Sequence, residues 1–233
     1  MPCPEPVPLP QGGCLGRIRG RWVRVHRWVH GTVPAPGSHS LEAAALVARI
    51  HAGAPTAVST LDDEPWDIGA WSGLAELPGM PGDLAASLRA AAPWLARLEN
   101  ETAEPGRPDV QVLSHGDLDP KNTLLVDGTL VAVDWDAAGP RSRIREAVSV
   151  ALDWTSDTDG FRAAIDAYTG AAGAGISAEP WVFGGWVGAT GGWLVYNAMH
   201  CAGTDQGRGE IVNATQRLTA LHSNLSEYLA ALT

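Results

Sequence analysis

Leu124 to Val126 and Thr129 to Val133 are apolar, β-branched runs separated by Asp127-Gly128. Asp-Gly between two such runs is the strongest short-range hairpin signal, because both positions of the tight turn take φ > 0. A hairpin here holds its two ends side by side. Asp117 and Asn122 precede its first strand, in the stretch His115-Gly116-Asp117-Leu118-Asp119-Pro120-Lys121-Asn122, and Asp134 leaves its second. The rest of the chain must therefore fold around a loop and a strand end that gather a carboxylate, an amide oxygen and another carboxylate. A hairpin with a solvated end, preceded by a simple Asp-Pro turn, would use the same local features. It would not require them in this order.

The trio suits Mg²⁺-dependent phosphoryl transfer. Mg²⁺ is a hard ion that takes oxygen ligands, usually from one or two side chains together with substrate phosphates. Asn122 and Asp134 offer it a neutral and a charged oxygen, leaving Asp117 to orient a substrate hydroxyl and accept its proton. This is the kinase division of labour among a catalytic-loop Asp, a catalytic-loop Asn and a metal-binding Asp after the next hairpin.

The stretch His115-x-Asp117-x-x-x-x-Asn122, followed by Asp134-Trp135-Asp136, resembles the aminoglycoside phosphotransferase family of the protein-kinase-like fold. His115-Gly116-Asp117-Leu118 stands where protein kinases read His-Arg-Asp-Leu, and Asp134 where they have the Asp of Asp-Phe-Gly. The resemblance takes in Trp22 to Gly31 and, more loosely, the chain to its C-terminus. It implies an α+β, protein-kinase-like fold, with a mostly helical C-terminal lobe, a catalytic β-hairpin and a residual two- to three-stranded N-terminal sheet. Residues 1–31 would be the residual strands and hinge, and residues 32–233 the C-terminal lobe, with the catalytic loop and metal-binding hairpin at 113–136. The roles implied are Asp117 as base, His115 as a loop-shaping residue, and Asn122 and Asp134 as Mg²⁺ ligands, Asn122 also lying at the nucleotide. Asp136 either assists the metal or faces solvent.

Leu15 to Arg19 and Trp22 to Val29 read as two strands joined at Gly20, the second with period-two alternation. By the resemblance it is the last small-lobe strand running into the hinge, where the Arg27 carbonyl and the Val29 N–H would hydrogen-bond adenine. An edge hairpin with amphipathic arginines reads the same way. A complete member would carry roughly another 80 residues upstream, with a phosphate-covering loop, a strand Lys and a helix Glu that fixes it. The glycines at 12, 13, 16 and 20 do not follow Gly-x-Gly-x-x-Gly, and the only lysine of the chain is Lys121.

The 233 residues, 45% of them hydrophobic, suffice for one large domain or two small ones. A formal net charge of -10 argues against nucleic acid as a partner and suits a cationic small molecule. Cys3, Cys14 and Cys201 lack metal-ligand spacing and are odd in number, which points to a reduced, cytoplasmic setting. No apolar run approaches the roughly 20 residues of a membrane span, and Met1 to Pro6 lacks the features of a signal peptide.

Residues 1 to 13, with five prolines and two glycines, read as an extended arm. Ser40 would cap a helix to about His51, with His51 as a surface cap and Gly53 and Pro55 ending it. Leu61 to Trp71 interleaves carboxylates with Trp66 and Trp71, which either hold an amine by cation–π contact or anchor a solvated loop. A helix from Asp83 to about Ala91 would kink or break at Pro93 and restart to about Glu104. Val110 to Leu113 forms the strand into the catalytic stretch, and Ala137 to Pro140 a turn. Helices follow over Ile144 to Thr155, Asp159 to Tyr168, a Gly- and Trp-rich stretch at 180 to 201, and about Gly209 to Leu232. Glu146 is the nearest counterpart of an Asp that, in many members, fixes the catalytic loop.

Two readings follow. The first is a phosphotransferase moving the γ-phosphoryl group of ATP or GTP, with Mg²⁺, to a hydroxyl of an aminoglycoside, macrolide, choline, homoserine or similar small molecule. The second is a catalytically inactive remnant or small-molecule binding protein, because positioning and charge supply nearly all of the rate of phosphoryl transfer. A metallohydrolase using His115, Asp117 and Asp134 leaves the Asn122 spacing and the hinge-like strand without a purpose. On this reading the polypeptide as it stands is weakly active at best.

Overall fold

The structure, a computed structural model, describes residues 3–233; Met1 and Pro2, the start of the predicted arm, lie outside the described residues. The predicted α+β organisation is present, as small antiparallel sheets with helices packed behind them. The N-terminal hairpin pairs β1 (Gly16–Ile18) with β2 (Arg21–Val23), turning at Arg19 and Gly20, both with positive φ. Its second strand is shorter than predicted and ends at Val23. Beyond it the chain pairs with the arm: Val7 donates to the Val25 carbonyl and Arg27 to the Glu5 carbonyl. Trp22, Val25 and Trp28 stay exposed, so this module adds little to the core.

Thr32 and Leu125 exchange backbone hydrogen bonds of 3.2 and 2.8 Å, which stitches the segment after Val29 onto the catalytic hairpin. A Cβ on Gly31 would lie 2.9 Å from the Leu125 carbonyl, so only glycine permits that approach. The hairpin matches its sequence signal. β5 (Thr123–Val126) pairs with β6 (Thr129–Ala132) around Asp127 and Gly128, both in the left-handed region.

The core is helical. α1 (Ser40–Gly53) buries Ala43, Leu46, Val47 and Ile50, the predicted stripe. Its N-cap is His39, not Ser40, and no side chain caps it. α3 (Gly82–Thr102) continues unbroken through Pro93, which rules out the break of the two outcomes expected there. The bond that Pro93 forfeits is to the Arg89 carbonyl on the solvent side, while Leu84, Leu88, Leu95 and Leu98 bury on the other face and hold the helix together.

A three-stranded sheet extends beyond the single strand expected from the sequence. β4 (Pro108–Ser114) extends the predicted strand and lies between β3 (Thr56–Thr60) and β7 (Gly139–Ser142). β3 is exposed along its length, so it has no inward stripe to betray it, and β7 carries Gly139-Pro140, which reads as a turn. The short helix α2 (Ile68–Gly73) is capped by Asp67.

Past β7, α4 (Arg143–Trp154) begins at a Ser142 cap, and α5 (Thr158–Ala172) at an Asp157 cap. α6 (Gly184–His200) starts against α4, where a Cβ on Gly184 or Gly185 would meet the Arg145 side chain within 2.9 Å. This is the close helix packing read from the glycines. α7 (Asp205–Ala230) starts four residues before its predicted start, at a Thr204 cap, and closes the core with Ile211, Ala214, Leu218 and Leu221.

Candidate active site

The catalytic stretch is a loop between β4 and β5, and three independent contacts give it one shape. Gly116 sits at φ 82°, and a Cβ there would lie 2.5 Å from the Ala137 carbonyl and 2.8 Å from the Arg141 guanidinium. Arg141 in turn donates to the Ala137 carbonyl at 2.7 Å, so the loop before Asp117 is packed on the loop after Asp134. Asp119 accepts the Asn122 N–H at 3.1 Å and opens a 3-10 turn at Pro120–Asn122.

Val133 is the point at which the two ends of the hairpin meet. Its N–H donates to the Asn122 carbonyl at 2.9 Å, and its carbonyl accepts from His115 Nε2 at 2.8 Å. His115 is fully buried, with its ring 4.7 Å from that of Trp135. Asp134 follows immediately with φ 59° and ψ 64°, a left-handed conformation that Asp tolerates better than most residues. The backbone thus brings Asn122 and Asp134 together through the residue between them.

Asn122 is buried and donates Nδ2 to Asp117 twice, to the backbone carbonyl at 2.9 Å and to Oδ2 at 2.7 Å. Both interactions of the Asp117 side chain fall on Oδ2; the carboxylate is 47% exposed, so Oδ1 is open to a ligand. With Nδ2 committed, Oδ1 of Asn122 is the group left for a ligand. Among the described residues the Asp134 carboxylate makes no hydrogen bond or ion pair. An amide oxygen and an uncommitted carboxylate are the oxygen donors that Mg²⁺ takes, so these residues fit that ion.

Lys121 Nζ lies 2.5 Å from Asp119 Oδ2 and 3.6 Å from Asp117 Oδ2. Burial opposes its charge, but the bond to Asp119 and the charges of Asp119 and Asp117 prevail and raise its pKa. The ammonium stays charged beside Asp117. In the segment expected to be the hinge, the Arg27 N–H is taken by Glu5, whereas the Arg27 carbonyl and the Val29 N–H have no partner among the described residues.

Glu146, the nearest counterpart of the loop-fixing Asp, does touch this loop, and His51 stands behind it. Glu146 Oε1 accepts the Gly116 N–H at 2.8 Å, and its Oε2 pairs with His51 Nε2 at 2.9 Å. Burial alone would push the Glu146 carboxyl up; the hydrogen bonds from His51 and Gly116 outweigh it and hold the carboxyl below its ordinary value. His51 was expected at the surface and is instead 5% exposed, since its partners come from α4 and α5 and no local spacing announces them. At the other end of α4, Trp154 Nε1 donates to the Leu118 carbonyl at 2.8 Å. One helix therefore holds a peptide group on each side of Asp117.

The acidic, aromatic stretch is used as an anchor. Asp63 takes a bidentate pair with Arg145, both contacts at 2.7 Å, while Glu99 accepts from Trp71 Nε1 and the Trp66 N–H. The Arg145 guanidinium and the Glu104 N–H overcome burial and hold the Asp63 carboxyl below its ordinary range.

Residues 1–182 match the model of the phosphotransferase enzyme family. No curated protein matches the sequence. Among solved structures, a choline/ethanolamine kinase family protein from Mesorhizobium loti superposes at TM-score 0.59 and 16% identity, covering 99% of this chain and 77% of that one. An aminoglycoside phosphotransferase from Alicyclobacillus acidocaldarius gives 0.59 at 15% identity, covering 100% and 77%. A spectinomycin phosphotransferase in complex with ADP and spectinomycin gives 0.58 at 8% identity, covering 99% and 77%. The chain shares their kinase-like fold.

Proposed function

Because the chain belongs to the phosphotransferase enzyme family, we propose that it transfers the γ-phosphoryl group of ATP or GTP to a hydroxyl of a small molecule. The observation that carries this reading is the split of duties at one carboxylate. Asn122 holds Oδ2 of Asp117 at 2.7 Å, while Oδ1 makes no hydrogen bond or ion pair among the described residues. Asp117 accepts the proton of the acceptor hydroxyl at Oδ1 as the oxygen attacks phosphorus. The β–γ bridging P–O bond breaks, and the nucleoside diphosphate leaves with that electron pair. Asn122 Oδ1 and the Asp134 carboxylate would hold Mg²⁺, which, when bound, neutralises charge on the β- and γ-phosphates. Lys121 adds a fixed positive charge next to Asp117, and the Arg27 carbonyl and Val29 N–H offer a donor–acceptor pair to the base.

The acceptor is best sought among hydroxylated amines. Of the 16 basic side chains, five lie between residues 17 and 27, so the large lobe is more acidic than the net charge of -10 suggests. The spectinomycin phosphotransferase of this fold supports the same class.

Calorimetric titration with Mg²⁺-ATP and Mg²⁺-GTP tests the reading, with Asp134→Asn as the control because Asn also tolerates the left-handed backbone. Binding that Asp134→Asn abolishes, followed by transfer to an aminoalcohol panel that Asp117→Asn lowers by about 10²–10⁴-fold, is the expected result. Absence of binding at millimolar nucleotide would refute it.

A further inference from the structure

The buried chain behind the catalytic loop is longer than the base needs for its own chemistry. His51 Nδ1 lies 2.9 Å from the Tyr168 hydroxyl, and His51 Nε2 lies 2.9 Å from Glu146 Oε2. The other oxygen, Oε1, receives the Gly116 N–H at 2.8 Å. The His51 and Glu146 side chains are 2% and 6% exposed, so no water competes for these bonds. Helices α1, α4 and α5 each contribute one member, and the chain ends on the His115–Gly116 peptide group, one peptide before Asp117.

From this geometry we infer that His51 and Tyr168 are positioning residues for Asp117, acting through Glu146 on the Gly116 peptide. This deepens, and rests on, the phosphotransfer reading of the loop. The donor and acceptor states agree along the whole chain. An ionised Glu146 only accepts, so Nε2 of His51 must be the protonated nitrogen. In the neutral imidazole Nδ1 then accepts, and the Tyr168 hydroxyl must donate to it. Burial pushes Tyr168 up to about 12, so that hydroxyl keeps its proton. Protonation of His51 would turn only the bond to Tyr168 round, leaving those to Glu146 and Gly116 in place.

The arrangement answers a specific difficulty. Gly116 stands at φ 82° with no space for a side chain, and its N–H meets a carboxylate that is itself buried. A carboxylate left alone there would protonate or swing away, because an unpaired buried charge is costly. His51 keeps Glu146 ionised and aimed, and Tyr168 keeps the imidazole from rotating about χ2. The direction of Asp117 is thereby set from α5, two helices away.

The test is amide exchange by NMR on the full chain, with single-turnover phosphotransfer alongside, for wild type, His51→Leu, His51→Gln and Tyr168→Phe. His51→Leu should speed exchange at Gly116 and Asp117 roughly 10-fold or more, since it removes a bond to a charged group. Amides in α3 and α7 should stay unchanged. His51→Gln, whose amide replaces the Nε2–H, should restore protection, and Tyr168→Phe should show a smaller change in the same direction. In single turnover His51→Leu and, less so, Tyr168→Phe should slow transfer at saturating nucleotide and leave the nucleotide concentration at half-maximal rate unchanged, while His51→Gln should restore the rate. Wild-type exchange at Gly116 in His51→Leu, or an increase spread evenly over the chain, overturns the inference. If His51→Leu does not fold, Tyr168→Phe decides on the same two criteria. A wild type that exchanges as expected but transfers no phosphoryl group would sink the functional reading and leave the positioning chain intact.

Discussion

Replacing Gly116 with Ala isolates what the catalytic loop costs to build. At φ 82° an L-residue sits in the left-handed region, a penalty of about 1–2 kcal/mol. The added Cβ would also lie 2.5 Å from the Ala137 carbonyl and 2.8 Å from Arg141 Nε. The carbonyl is backbone and Arg141 is tied to it, so neither can yield cheaply, and overpacking of this kind adds about 1–3 kcal/mol. The total is about 2–5 kcal/mol. Gly128→Ala supplies the comparison: its φ is 76°, and no atom lies within 4 Å of the Cβ position. It should cost only the backbone penalty of about 1–2 kcal/mol. Urea unfolding at constant m-value reads both. Calorimetry with Mg²⁺-nucleotide should show that Gly116→Ala also loses affinity, because pushing Ala137 displaces the segment that begins at Asp134. If the two variants unfold within about 0.5 kcal/mol of each other, the packing of the catalytic loop on the Ala137 turn is not as described.

Glu146→Gln should destabilise by about 1.5–3 kcal/mol, because both buried bonds of the carboxylate are charge-assisted. The folded-state pKa of Glu146 is lowered, so its contribution is full above the unfolded value near 4.3 and is lost as pH falls through the folded value. The stability of Glu146→Gln should accordingly vary less between pH 6 and pH 3, about, in urea titrations, and a slope equal to wild type would refute the assignment. Arg145→Met strips a paired guanidinium from Asp63 and from the Trp181 and Thr102 carbonyls; it should cost about 3–5 kcal/mol. Adding Asp63→Asn to it should recover part of that loss, as a double-mutant cycle would show. Lys121→Met should leave stability within about 0.5 kcal/mol, since the Lys121 side chain is itself 70% exposed. It should lower kcat with Mg²⁺-ATP, and an unchanged kcat would deny Lys121 any part in transfer.

The arrangement of Asp117, Asn122 and Asp134 around the hairpin could be read from the sequence because its signals are local. Asp127-Gly128 sets the turn by backbone conformation alone, and the spacing from Asp117 to Asn122 to Asp134 then follows from strand pairing. The positions of the long helices were readable for the same reason, since their apolar stripes repeat within a few residues. Beyond shifts at element ends, the failures are non-local. His51 stands at the end of a helix and looks solvated, until partners 95 and 117 residues away bury it. Pro93 breaks a helix in isolation, and Leu84 through Leu98 keep this one whole by packing. β3 and β7 exist because β4 offers them two edges, and neither carries a pattern of its own. Asp63 looks like one carboxylate among several in an acidic stretch until Arg145, on another helix, singles it out.

The two halves of the proposed reaction rest on different parts of the molecule. Asp117 is held by the large lobe alone: Glu146 and Trp154 of α4 bond the peptide groups at Gly116 and Leu118, and Asn122 fixes the carboxylate. None of these contacts involves a residue before Ser40. The nucleotide edge at Arg27 and Val29 belongs instead to a module of two three-residue strands and an arm, with Trp28 at 83% exposure. A two-stranded unit of this kind is marginal by itself, and its attachment to the hairpin runs through Thr32 and Leu125. Disturbing that attachment, for instance with Gly31→Val, should therefore weaken nucleotide binding while leaving the Gly116 amide as protected as in wild type. Simultaneous loss of both would show that the base depends on the small module after all, and that α4 does not suffice to hold it.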